Sequence, residues 1–207
     1  MPLRAVIFDL GGVVLGSPLR AIAAFEREHG IPAGFVNRRV AEGGPAGAWS
    51  RLERGELAME DFFGDFEAEC AAAGAVLDAR AMFGRMAAAS QPRPVMLSAI
   101  RRIRAGGLRA GALTNNWISE TEPTRALEPH FDVFIESSVV GLRKPDPRIY
   151  HLACERLEVA PAEAVFLDDI GGNLKAARAL GMTTLKVEEP EAALRALGQV
   201  LGMELLG

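Results

Sequence analysis

Three short apolar runs in this chain each end abruptly on polar residues, and that pattern limits the folds available to it. Arg4 to Phe8 stops at Asp9-Leu10-Gly11-Gly12, Leu108 to Leu113 stops at Thr114-Asn115, and Ala164 to Leu167 stops at Asp168-Asp169. Short apolar runs closed by turn residues read as buried strands. Between and after them the apolar spacing turns helical. Met96, Ile100 and Ile103 share a helix face that stops at Gly106-Gly107, and Asp146-Pro147 forms an N-cap and first turn for Ile149, Leu152, Ala153 and Leu157. Gly171-Gly172-Asn173 opens a further helix that closes at Gly181. Asp132 to Ile135 and Thr183 to Val187 add two more strands. Strands alternating with crossover helices predict an α/β fold, a parallel sheet covered on both faces. In open sheets of this kind the ligand crevice lies beyond the carboxyl ends of the strands, so Asp9, Thr114, Asn115, Asp168 and Asp169 are expected to converge.

Ser17 to Ser90 breaks the alternation, with Ala, Glu, Arg, Leu and Phe recurring at helical spacing between clusters such as Gly43-Gly44-Pro45. The expected organisation is a core of residues 1–15 and 91–207, carrying an inserted all-helical domain of residues 16–90 over the crevice. A chain of 207 residues is long enough to bury such a core. Its net charge of −4 gives no electrostatic footprint for nucleic acid. The apolar stretch Ala5 to Leu15 is interrupted by Asp9 and too short to cross a bilayer, which favours a soluble cytoplasmic protein without a membrane partner. Cys70 and Cys154 have neither metal-ligand spacing nor a second pair, and are expected to be reduced and structural. No motif supports a homodimer.

One aspartate after a strand is often only a cap. Here it belongs to a set: FDLGGVV at Phe8 to Val14, LTNN at Leu113 to Asn116, GLRKPDPRIY at Gly141 to Tyr150, and FLDDIGGN at Phe166 to Asn173. In order and interval these four segments resemble motifs one to four of the haloacid-dehalogenase superfamily. The likeness is greatest to the N-terminal phosphatase domain of soluble epoxide hydrolase and to the related domain fused to acyl-CoA dehydrogenase domains. It runs through FIES to the closing LGQVLGMELLG and is weakest in the insertion; no epoxide-hydrolase or dehydrogenase domain is expected after Gly207. The resemblance implies a Rossmann-like core with a helical cap inserted after motif one. It also implies hydrolysis of a small-molecule phosphate ester through an aspartyl-phosphate.

The residue types suit that chemistry. A carboxylate such as Asp9 attacks phosphorus to give an acyl phosphate, replacing one difficult hydrolysis by two easier displacements. Gly11-Gly12 lets backbone N–H groups approach phosphoryl oxygens. Thr114 offers a hydroxyl and Asn115 an amide to the same oxygens, and Lys144 supplies positive charge during transfer. The alternatives are a strand-end turn at Thr114-Asn115 and a solvated charge at Lys144. Carboxylates about 4 Å apart repel by roughly 4 kcal/mol at an effective dielectric near 20, so gathering Asp9, Asp168 and Asp169 calls for a cation, and Mg2+ is the best match. A helix-start aspartate pair favoured by the helix dipole is the structural alternative. By resemblance Asp9, Asp169 and the Gly11 carbonyl ligate the metal, while Asp168 holds Lys144 or a metal-bound water.

The pattern departs from the family at one position. Phosphatases of the superfamily generally carry a second aspartate two residues after the nucleophile, as proton donor and then base, and here that residue is Gly11. Losing such a group typically costs about 10²- to 10⁴-fold in rate. Three outcomes are compatible with Gly11: a phosphatase with another proton carrier, a weak or inactive phosphate-binding relative, or a haloacid dehalogenase. The acidic pair argues against the last, because a carboxylate substrate is repelled there unless a cation is present. Among the histidines, only His29 is a candidate replacement; His130 and His151 also fall outside the motifs. Phe25, Phe35, Trp49, Phe62, Phe63 and Phe66 either line an apolar pocket for a lipid phosphate or, as helical spacing more often means, form the core of the insertion. Trp117 either faces the cleft or packs.

Overall fold

The computed structural model describes residues 2–118 and 124–206. Its centre is a five-stranded sheet, all parallel, in the order β3-β2-β1-β4-β5. The strands are β1 (Ala5–Phe8), β2 (Arg109–Thr114), β3 (Val133–Glu136), β4 (Ala164–Asp168) and β5 (Thr183–Lys186). β1 is buried at every residue, as a central parallel strand with both faces covered must be. Strand alternation sorts its side chains: Val6 and Phe8 enter one apolar layer with Ala110, Ala112, Val165 and Leu167, whereas Ala5 and Ile7 enter the other with Leu113 and Phe166.

Helices cover these layers. Before β2 the chain forms α1 (Pro18–Glu28), α2 (Phe35–Gly43), α3 (Ala48–Glu53), α4 (Met59–Ala72), α5 (Ala79–Ala89) and α6 (Pro94–Ala105). After β3 come α7 (Ser137–Val140), α8 (Pro147–Leu157), α9 (Gly171–Ala179) and α10 (Pro190–Leu201). α6 and α10 close the first layer with Ile100, Ile103, Leu194 and Leu197, and α8 and α9 close the second with Ile149, Tyr150, Leu157 and Leu174. Each fully buried aliphatic or aromatic side chain contributes roughly 1.5–3 kcal/mol. The Asp146 carboxylate accepts the Arg148 N–H with Pro147 in the first turn, so the start signal read from the sequence is the cap of α8.

Helices α1 to α5 form a third apolar cluster around Phe25, Trp49, Phe62 and Phe66. The chain enters and leaves this unit side by side. Leu15 bridges Pro92 in antiparallel fashion, Gly16 N–H donates to the Gln91 carbonyl at 3.0 Å, and Arg93 N–H donates to the Val14 carbonyl at 2.9 Å. Gly16 is required there, because a Cβ would run into the Ala89 carbonyl oxygen. Among the described residues no helix is long and apolar enough to cross a membrane. Cys70 and Cys154 are buried free thiols.

Candidate active site

Register determines what meets at the sheet edge. Phe8 lies opposite Ala112 and Leu167, which brings Asp9 and Asp168, one residue on, and Thr114, two residues on, to the carboxyl end of three adjacent strands. Carboxylate oxygens of Asp9, Asp168 and Asp169 all lie within 4.8 Å of one another. The three carboxylates expected to converge therefore do so.

Lys144 holds this cluster together. Its side chain is 1% exposed, and its Nζ lies 2.9 Å from Asp9 Oδ1 and 2.8 Å from Asp168 Oδ2. Asp9 Oδ1 also accepts the Leu10 N–H at 2.7 Å. Asp168 is fixed by the Ile170 N–H at 2.7 Å and by Asn173 Nδ2 at 3.0 and 3.2 Å, and the Tyr150 hydroxyl donates to the Asn173 carbonyl at 3.0 Å. Lys144 is thus a buried ion-pair centre rather than a solvated charge.

Three carboxylates face one ammonium, and the imbalance shows in their proton affinities. Burial pushes the Asp9 carboxyl up to about 8, against the attraction of Lys144 and with the added repulsion of Asp168 and Asp169. Burial also raises Asp169 to about 6, with Asp168 adding to the shift and Lys144 and Arg93 opposing it. Burial disfavours the Lys144 charge, but Asp168 and Asp9 outweigh it and hold the ammonium above its ordinary range. An oxygen-only cluster that keeps excess negative charge out of water fits a hard divalent cation.

The turn after Asp9 explains one glycine and leaves the other open. Gly12 has φ +79°, and a Cβ there would collide with the Asp169 carboxylate, so glycine permits that carboxylate to close on the turn. Gly11 has φ −63° and ψ 124°, a conformation open to any residue, and a Cβ would meet only the Pro18 ring at 3.3 and 3.4 Å. Arg93 braces the turn from the far side, donating to the Gly12 carbonyl at 2.8 Å and the Val13 carbonyl at 3.1 Å.

Thr114 is buried, and its hydroxyl makes only a long, 3.5 Å approach to the Asn115 carbonyl. Asn115 departs from expectation. Its Oδ1 accepts the Lys144 N–H at 2.8 Å, and its Nδ2 donates to the Lys144 carbonyl at 3.0 Å and to Glu53 at 3.3 Å. The amide therefore grips the Lys144 segment instead of pointing both ends at a phosphoryl group. His29 is exposed, stacked on Phe25 at 4.0 Å, with Nδ1 2.9 Å from the Phe25 carbonyl, so it serves the end of α1 rather than standing as a proton carrier. Of the aromatics, Phe25, Phe35, Trp49, Phe62 and Phe66 are buried in the helical unit, and Phe63 is partly buried against the same cluster. Trp117 packs on Phe83 at 4.8 Å and Trp49 at 6.5 Å. Sequence reasoning quoted Asn173 and Arg143 within motifs without giving them a task, and it missed Glu53 and Arg93, which carry no spacing signal.

Fold and site together define a hydrolase built on a parallel α/β sheet with its acidic cluster at the strand carboxyl ends. The model of the haloacid dehalogenase-like hydrolases matches residues 3–181, and the chain belongs to that family. It is 40% identical, over 98% of its length, to acyl-CoA dehydrogenase family member 10 of Mus musculus, and 36% identical, over all of its length, to bifunctional epoxide hydrolase 2 of Sus scrofa. It spans only 19% and 40% of those two proteins. A phosphatase of Mycobacterium tuberculosis is 30% identical, with 91% of this chain and 88% of that protein covered. The fold is shared with a haloacid-dehalogenase family enzyme of Bacteroides thetaiotaomicron, solved with magnesium and inorganic phosphate, at TM-score 0.63 and 20% identity over 90% of this chain and 96% of that one.

Proposed function

We propose that this chain is a magnesium-dependent phosphatase of small phosphate esters, working through an aspartyl-phosphate at Asp9. The observation that carries the reading is the Lys144 ammonium seated between Asp9 and Asp168 with Asp169 in the same cluster. Asp9 attacks phosphorus, the ester oxygen leaves and takes its proton from solvent water, and a water then attacks phosphorus, giving up a proton to solvent and displacing the carboxylate to release phosphate and regenerate Asp9. Lys144 stabilises the negative charge on the transferring group and orients Asp9, Thr114 directs its hydroxyl to a phosphoryl oxygen, and Asn115 sets Lys144 in place. Asp9, Asp169 and the Gly11 carbonyl would hold magnesium, with Asp168 anchoring Lys144 beside it. The ion supplies positive charge that neutralises the phosphoryl oxygens.

We assign residues 1–15 and 91–207 to a catalytic core and residues 16–90 to a cap that governs access and contacts the part of the substrate beyond phosphate. The side-by-side crossing at Leu15 and Pro92 and the cap's own apolar cluster support that division. The two buried free thiols favour a cytoplasmic protein.

Gly11 favours a second reading, a haloacid dehalogenase, in which the same Asp9 forms an ester and no metal is needed. The acidic cluster weighs against it, since a carboxylate substrate adds a further negative charge. Para-nitrophenyl phosphate and a 2-haloacid, each assayed with magnesium and with chelator, separate the two. Phosphate release that requires magnesium is expected; halide release in chelator with no phosphate release reverses the assignment.

A further inference from the structure

Glu53 is a buried carboxylate that the proposed reaction does not use. It ends α3, on the cap side, and is 6% exposed. Three donors surround it. Trp49 Nε1 donates to Oε1 at 2.9 Å, while Arg143 Nε at 2.5 Å and Asn115 Nδ2 at 3.3 Å donate to Oε2. Arg143 also reaches back to the Ser50 hydroxyl at 3.2 Å. With both oxygens already accepting hydrogen bonds, Glu53 is not a free proton carrier.

Trp49 anchors it within the cap, and its other two partners both lead to Lys144. Arg143 is the preceding residue. Asn115 holds both the N–H and the carbonyl of Lys144, and its second amide proton goes to Glu53. Asn115 thus has Lys144 on two sides and the cap on the third, with both donor protons and one acceptor position of its amide engaged. Glu53 is buried and Arg143 half-buried, and apolar residues of the same volume often do as well for stability as such an ion pair, so the pairing points to a task of orientation.

We propose that Glu53 is a positioning residue, a cap-borne carboxylate that fixes the Arg143-Lys144 segment and the Asn115 amide and so ties the seating of the cap to the placement of the Lys144 ammonium beside Asp9. The effect on turnover rests on the phosphatase reading above; the effect on Lys144 does not. Misplacing a reacting group by about 1 Å costs on the order of 10²-fold in rate, so a small drift of this segment is enough to matter.

The test is Glu53→Gln, which keeps size and an acceptor but removes the charge that Arg143 pairs with. Amine acetylation read by mass spectrometry follows Lys144 directly, with exposed Lys175 and Lys186 as internal controls. In the folded variant, acetylation of Lys144 is expected to rise about tenfold with the controls unchanged, and kcat on para-nitrophenyl phosphate to fall about tenfold or more with KM within about twofold. Wild-type acetylation at Lys144 together with wild-type kcat in folded Glu53→Gln overturns the proposal. If Glu53→Gln does not fold, Glu53→Asp and Arg143→Met are read by the same two criteria. If the wild type hydrolyses no phosphate ester, the phosphatase reading fails, and the labelling of Lys144 alone decides the role of Glu53.

Discussion

Lys144 and Asp9 meet 2.9 Å apart in the protein interior, although Asp9 follows β1 and Lys144 lies between β3 and β4. The same ammonium lies 2.8 Å from Asp168, so a single side chain organises both carboxylates, Asp9 being the proposed nucleophile. Replacing Lys144 by Met is expected to lower kcat by about 10²- to 10³-fold, the effect of deleting one preorganised electrostatic contact. It also leaves Asp168 buried without its counter-ion and is expected to destabilise the fold by about 3–5 kcal/mol, measured by urea unfolding.

The raised proton affinities give the metal-free protein a definite pH dependence. An unfolded aspartate releases its proton near pH 4, whereas Asp9 in the folded chain holds one up to about 8 and Asp169 up to about 6. Between those values the unfolded chain binds fewer protons than the native one, so these two groups make stability fall as pH rises: from about 4 to 6 through Asp169 and from about 4 to 8 through Asp9. The stabilising contribution is complete below about pH 4 and lost above about 8. In chelator, the Tm of the wild type relative to Asp9→Asn is expected to drop by on the order of 5 °C from pH 5 to pH 8. Magnesium, favouring the charged carboxylates, is expected to remove most of that drop. A difference that does not change with pH contradicts the charge balance described for the cluster.

Gly11 and Gly12 are expected to respond in opposite directions. Gly11 has an ordinary backbone conformation with only the Pro18 ring near its missing Cβ, so Gly11→Asp should fold. If proton transfer limits turnover, it should raise kcat by about tenfold or more on alkyl phosphates, whose leaving groups need a proton, and little on para-nitrophenyl phosphate. Gly12→Ala combines positive φ with a collision against Asp169, and is expected to cost about 1–2 kcal/mol of backbone strain alone and to weaken magnesium binding.

Phe62 and Phe66 are fully buried and stacked at 5.3 Å, which makes them interior side chains of the helical unit rather than pocket walls. Phe62→Ala is expected to destabilise by about 3–5 kcal/mol, while the folded fraction keeps its magnesium dependence, seen by measuring unfolding and turnover on the same sample.

The sheet was legible because a parallel strand buried on both faces leaves a continuous apolar run, and Ala5 to Phe8 is such a run. Asp9, Thr114, Asp168 and Asp169 were legible for the same reason, as the polar residues at which those runs stop. Asn115 was misjudged because adjacency to Thr114 suggested a shared target, whereas extended backbone sends successive side chains to opposite sides, and Asn115 turns to Lys144 and Glu53. The pairing of Glu53 with Arg143 joins residues ninety positions apart and leaves no periodic trace. Helical spacing alone did not distinguish Phe62 in a core from Phe62 in a pocket, since both place an aromatic on one helix face.

The most direct measurement is phosphate release from para-nitrophenyl phosphate by purified wild type and Asp9→Asn in magnesium, because that leaving group needs little protonation and bypasses the glycine at position 11. The account predicts turnover by the wild type that chelator removes and no turnover by folded Asp9→Asn. Phosphatase activity that persists in Asp9→Asn contradicts it.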